Sequence, residues 1–287
     1  MEQNKDNIYR IDTDKAWNIL RERLEKDHLL TGKIKDSPYR KRKMQLTRIA
    51  VAAAVCIGVI FTGLYFRQSK DDSPAVLQNK ENSGTLVFTL DDGSMVYLAP
   101  RASISYPAVF AGNQRKVKLS GNALFSVAKD EKRPFVVETD EKITIEVTGT
   151  VFAVQSSSGN PFELSVKQGK VNVRSRNDRV TVPVEAGETV RFNTGGLSKS
   201  KTVNVQVFSR FTDTMCFKDE KLNNIVHAIN TIYDSPTIIM EESLNNRTLT
   251  VTFDNNSVES MAKLICLALN LEQVNKQDTI YIRRPAK

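Results

Sequence analysis

From Ile49 to Phe66 the chain reads IAVAAAVCIGVIFTGLYF, eighteen residues without a charge. At 1.5 Å of rise per residue, such a run wound as a helix just crosses a hydrocarbon core of ~30 Å. The run predicts one transmembrane helix over residues 47–66. Two other readings stand beside it, a signal peptide and a buried core helix. A signal peptide has a shorter apolar stretch near the terminus and a small-residue cleavage site. Here 48 residues come first, most of them polar, and Tyr65, Phe66 and Arg67 close the run as an interfacial anchor does.

Orientation follows from the flanks. Arg40, Lys41, Arg42, Lys43 and Arg48 stand before the run with no acid among them, whereas Arg67 and Lys70 after it are answered by Asp71 and Asp72. The positive-inside rule puts the N-terminus in the cytoplasm and exports everything from about residue 67 onward, in a bacterium to the periplasm or the cell exterior. This division also disposes of the charge. With 41 Lys and Arg against 33 Asp and Glu, the net +8 points at first to nucleic acid. Residues 1–48 hold 13 of the basic and 8 of the acidic residues, leaving 28 against 25 in the other 239, so most of the excess is a basic collar that fixes topology and meets anionic lipid.

In the cytoplasmic tail, residues 1–45, the stretch IDTDKAWNILRERLEKDH between about Asp12 and His28 predicts a helix capped by Asp12 or Thr13. Ala16, Trp17, Leu20 and Leu24 fall on one narrow face, and the opposite face is charged. About 45 residues cannot build a core of their own, so a stripe carrying the only Trp of the chain reads as a docking surface, an amphipathic helix for a partner's groove. A helix lying on the inner membrane surface, or against a sister chain, is the alternative.

The exported part, after a polar linker over 67–83, is long enough for two domains at ~100 to 200 residues each. Over 84–207, short runs rich in Val, Ile, Phe and Thr recur with turn signals between them: TLVFTL, SMVYLA, RKVKLS, LFSVA, PFVVET, ITIEV, VFAVQ, FELSV, KVNVR, VTVPV, TVRFN and VNVQVF. About twelve strands at this spacing predict a mainly β domain, an antiparallel sandwich or roll. From 212 to 285 the period changes to 3.6. KDEKLNNIVHAINTIY and NNSVESMAKLICLALN each line up one apolar helix face, and Asn256 with Glu259 forms a candidate capping box. The two helices are copies at a shift of 36 residues, which matches Phe217 to Phe253, Leu222 to Val258, Ile225 to Met261 and Ile229 to Ile265. With TIIM, TLTVTF, LEQV and TIYI as strands, this is a duplicated βαβ-type unit in a small α+β domain.

Residues for chemistry are scarce. His28 and His227 fall on opposite sides of the membrane and cannot share a metal or a triad. Cys56, Cys216 and Cys266 lack metal or disulfide spacing and read as buried apolar residues. No G-x-S-x-G, P-loop or G-x-G-x-x-G occurs. Ser126-Val127-Ala128-Lys129 matches S-x-x-K in letters, but within a strand-like run and without its partner motifs. The carboxylate pairs Asp91-Asp92 and Glu241-Glu242 stand at turns and read as solvated. The expectation is a non-enzyme without cofactor, metal or small-molecule substrate, and a periplasmic hydrolase is the weakest of the rival readings.

The motifs of 85–195 carry a resemblance. TLDDGSMVYLAPRASISYP, RKVKLSGNALFSVAKDEKRPFVVET, VTGTVFAVQ, SVKQGKVNVR and EAGET resemble, in order, the strings of the FecR family of transmembrane anti-sigma regulators in cell-surface signalling. Asn122, Ala99 and Thr148 depart from its usual Glu, Asn and Leu. Residues from about 214 to 284 look like the domain that ends many FecR-type proteins, a relative of the secretin and TonB short N-terminal domain. The tail's Ala16, Trp17 and Leu20 are similar to the family's A-W-x-x-L string. The resemblance implies a single-pass inner-membrane anti-sigma factor with a periplasmic C-terminus. Its tail would hold an extracytoplasmic-function (ECF) sigma factor, and its exported domains would receive a signal from the N-terminal domain of a TonB-dependent outer-membrane transporter. In some members the same tail activates the sigma factor, so the sign of regulation stays open. The rival from another class is a membrane-anchored periplasmic binding or scaffold protein whose tail has no regulatory partner; it predicts that deleting residues 1–38 is silent.

Overall fold

The computed structural model of the chain describes residues 13–27, 58, 74–80, 83–156, 161–175, 180–194, 196–202 and 206–285. The chain falls into two units, Met1–Lys70 and Asp71–Lys287. In the first, helix α1 (Thr13–Lys26) carries Asp14 in its first turn and Arg23 and Lys26 in its last, each complementing the helix dipole. The apolar run Ile49–Phe66, apart from Gly58, and the basic residues Arg40, Lys41, Arg42, Lys43 and Arg48 lie outside the described residues. Among the described residues no helix is long and apolar enough to cross a membrane.

The second unit is mainly β with a small α+β part at its C-terminal end. Its first strands are β1 (Ala75–Gln78), β2 (Thr85–Thr89), β3 (Met95–Leu98), β4 (Ser103–Tyr106), β5 (Arg115–Ser120), β6 (Ala123–Ser126) and β7 (Phe135–Thr139). Then come β8 (Ile143–Val147), β9 (Val151–Gln155), β10 (Glu163–Gln168), β11 (Lys170–Ser175), β12 (Thr181–Glu185), β13 (Glu188–Asn193) and β14 (Gly196–Lys201). The short helix α2 (Gln206–Ser209) leads to β15 (Thr214–Lys221), α3 (Leu222–Ile232), β16 (Thr237–Met240), β17 (Thr248–Asp254), α4 (Val258–Leu269), β18 (Glu272–Lys276) and β19 (Thr279–Arg283).

Two sheets form the sandwich. One runs β1-β4-β5-β7-β8-β11-β12, the other β14-β13-β10-β9-β6-β3-β2-β15-β17. Their facing sides share a core: Val96, Leu98, Phe125 and Phe152 from the second sheet meet Ile104, Leu119, Phe135 and Ile145 from the first. Phe125 stacks on Phe152 at 5.3 Å. The pairing is antiparallel with three exceptions: β5 with β7, β2 with β15 and β16 with β19 run parallel.

The longer sheet is covered on its other side as well. Val87, Tyr97, Leu124 and Ala153 turn away from the sandwich core and join Ile225, Ile229, Met261 and Ile265 of the two helices in a second core, closed from below by the small sheet β16-β19-β18. That is why β3 and β6 are buried at every position rather than at alternate ones. The stretches read from the sequence as successive domains therefore share one sheet and one core. Their seam is tight: a Cβ on Gly84 would stand 2.7 Å from the Thr214 carbonyl oxygen, closer than side chains tolerate.

Several elements differ from the sequence expectation. The stretch 67–83 contains β1, an edge strand held on β4, and Asn79 beyond it is buried, donating from Nδ2 to the carbonyls of Gly84 and Leu98. β4 and β14 were not expected; their Ser- and Lys-rich sequences hide strands at or near sheet edges, where polar side chains guard against stray pairing. In VNVQVF, residues 203–205 lie outside the described residues and Gln206–Ser209 is helical, a turn that brings Val207 and Phe211 into the second core. α4 is capped by Ser257, whose hydroxyl accepts from the Ser260 N–H, while the Asn256 Oδ1 accepts from the Asp254 N–H instead.

Candidate interaction surfaces

Helix α1 exposes its stripe. Trp17 is 68% and Leu20 45% exposed, Ala16 is exposed and Leu24 half-buried; Ile19, off the expected face, is exposed too at 52%. Within its own unit the described part of this helix buries no residue.

In the second unit a buried ion pair includes a group that the sequence had left in solvent. Asp92 was expected to be solvated, but its side chain is only 4% exposed and pairs with the equally buried Arg115 at 2.8 Å. A guanidinium drawn from β5 to the β2–β3 turn ties the two sheets together. The Arg115 Nε donates to the Arg133 carbonyl and Nη1 also to the Ala128 carbonyl, and the guanidinium lies 5.6 Å from the Phe135 ring centre. Asp92 further accepts from the N–H and the hydroxyl of Ser94, and that hydroxyl accepts from the Ala128 N–H. Gly93, at φ 82°, supplies the left-handed turn between them. The Asp and Ser of the D-G-S string and the R of R-x-V thus form one buried cluster.

Asp130 extends it. Its carboxylate accepts from the Arg133 Nε at 2.9 Å and from the N–H groups of Lys132 and Arg133. The bond from the Arg133 side chain, with those of the backbone, holds the Asp130 carboxyl below the usual aspartate range. Glu241 and Glu242 are exposed at a turn, as expected; Glu241 is likewise lowered, chiefly by the Ser243 hydroxyl.

The other singled-out residues are dispersed. Ser126 is buried in β6 while Lys129 is exposed and pairs with Glu131, so the S-x-x-K letters bring no lysine to the serine. His227 is exposed on α3, and burial pushes the Cys266 thiol up. Among the described residues no three His, Cys, Asp or Glu side chains converge as metal ligands. Asn122 holds its loop in place, its Oδ1 accepting from the Ser156 N–H. Tyr97, which no motif marked, reaches through the seam to donate to the Ala228 carbonyl of α3 at 3.1 Å, and burial pushes its hydroxyl far up. The uninterrupted apolar run at β3 was the signal for it.

These are surfaces and ties, set in a two-sheet scaffold with a duplicated α+β unit docked on it. The chain belongs to the FecR family: the family described as FecR protein matches residues 80–172, and that described as FecR, C-terminal, matches residues 214–282, together more than half of the chain. Two crystal structures of a candidate anti-sigma factor from Parabacteroides distasonis ATCC 8503, at 1.65 and 2.50 Å, are each 22% identical with a TM-score of 0.46 and cover 74% of this chain and 100% of their own. No curated protein matches the chain.

Proposed function

We propose that this chain is a single-pass inner-membrane anti-sigma factor. Helix α1 docks on an ECF sigma factor in the cytoplasm, through Ala16, Trp17, Leu20 and Leu24, and the exported unit receives a signal from the N-terminal domain of a TonB-dependent outer-membrane transporter. Membership of the FecR family supports the regulatory role. The observation that carries the reading is the Trp17 stripe, exposed on a short charged helix ahead of an uncharged run long enough to span a bilayer. Arg40, Lys41, Arg42, Lys43 and Arg48 set the orientation. One helix transmits a conformational change poorly, so displacement of the tail or cleavage near the membrane is the route by which the signal crosses.

The test is co-purification. Residues 1–46 are expected to bring down an ECF sigma factor, and Trp17→Ala with Leu20→Ala in the full chain is expected to alter transcription from that factor's promoters. Absence of a sigma factor together with unaltered transcription returns the protein to the scaffold reading.

A further inference from the structure

The 36-residue repeat is a symmetry of the fold. In the antiparallel pair β15–β17, Met215 stands opposite Phe253, Cys216 opposite Thr252 and Phe217 opposite Val251. Shifting each residue by 36 turns the first pair into the third and the middle pair into itself, so a local twofold axis passes between Cys216 and Thr252. Phe217 and Phe253 meet edge to face across it at 5.9 Å.

The surroundings break that symmetry. On the far edge of β15 lies β2, running parallel, with Thr85, Leu86 and Val87 against Met215, Cys216 and Phe217. Behind it, β3 places Tyr97 over α3, where Ala228 is fully buried. The equivalent edge of β17 ends the nine-stranded sheet. There Val251 is half-buried where its equivalent Met215 is fully buried, and Leu264, the equivalent of Ala228, is 38% exposed. Leu267, one turn on, is 71% exposed. Among the described residues, a flank that is covered on α3 is bare on α4 and exposes Leu264 and Leu267.

We propose that the outer edge of β17 and the bare flank of α4 form a docking surface for a β-strand of another protein, entering parallel to β17 with a second strand behind it. Unpaired strand edges take up such strands readily. The occupied side prescribes the chemistry: side chains facing the helices alternate and are small and buried, as Thr85 and Val87 are. Because Leu264 is larger than Ala228, the residue above it is smaller than Tyr97. Direction argues against a second copy of this chain, since β17 pairing with β17 about a closed twofold would run antiparallel. The proposal stands on the duplication and does not depend on what α1 holds.

The chain's own β2–β3 hairpin, residues 84–98, with Tyr97→Ala so that a small residue stands above Leu264, serves as the probe. It is added as a synthetic peptide at millimolar concentration to the full chain in lipid nanodiscs, and amide hydrogen exchange is followed by mass spectrometry. Exchange over residues 248–254 should slow about tenfold, and Leu267→Asp, at an exposed position that leaves the thermal midpoint unchanged, should abolish the slowing. Leu264→Ser should weaken it. Unchanged exchange over 248–254 overturns the proposal, as does slowing that survives Leu267→Asp, or faster exchange over 85–89, which would mean that the peptide displaces β2. Self-association without peptide that Leu267→Asp dissolves gives the edge to a second copy and overturns it too.

Discussion

Asp92 shows how a short motif can be read correctly as letters and wrongly as chemistry. Its neighbours Asp91 and Gly93 mark a turn, and turns are usually wet; only the fold reveals that Arg115, 23 residues on, arrives at the same place. Removing one partner of a buried pair leaves the other charge unpaired, so Asp92→Ala is expected to cost about 3–5 kcal/mol, read as a fall in the thermal midpoint. The Asp130 loop gives a pH test. Its carboxyl is lower in the folded chain than in an unfolded one, so its bonds contribute stability above the ordinary aspartate range and are lost as pH falls through the folded value. The amides of Lys132 and Arg133 should therefore lose hydrogen-exchange protection on acidification, relative to the intrinsic rate, while those of β6 keep theirs; Asp130→Asn should remove the pH dependence.

Among the elements, the most legible were those with a clean period. α3 and α4 follow from their apolar faces, and the strands with buried Val, Ile and Phe from their alternation and turn glycines. The elements missed, β1, β4 and β14, lie at or next to sheet edges, where little apolar surface is demanded: β4 and β14 are rich in Ser and Lys, and β1 is only four residues long after a polar stretch. The cap of α4 falls one residue beyond the expected Asn256, whose Oδ1 turns back to the Asp254 N–H and leaves Ser257 to accept from the Ser260 N–H; Ser257→Ala is expected to cost about 0.5–2 kcal/mol in denaturant unfolding. The junction of β2 with β15 left only a glycine as its trace. Gly84→Ala should force Thr214 away and speed amide exchange over 214–217 without touching the β8–β11 pairing. Helix α1 was legible as an element, with its stripe.

At the scale of the molecule, the sequence divides the chain by composition where the structure joins it by burial. The switch from a period of two to 3.6 near residue 212 is real, yet Val87, Tyr97, Leu124 and Ala153 are buried only because the helices lie over them. Truncation before Thr212 should expose these four and make the remaining sandwich bind a hydrophobic dye or self-associate, with its Arg115–Asp92 cluster intact. The proposed topology sets the rest of the account: a basic collar, one apolar run and a helix whose stripe is left unburied by the described residues of its own unit. The measurement that bears most directly on the central proposal uses the only tryptophan of the chain. With fluorotryptophan incorporated, Trp17 gives a single fluorine resonance, to be followed as the ECF sigma factor is titrated into the full chain. The account predicts that the resonance shifts and broadens as Trp17 leaves solvent and that Leu20→Ala weakens the effect; a resonance unmoved at saturating sigma factor would contradict it.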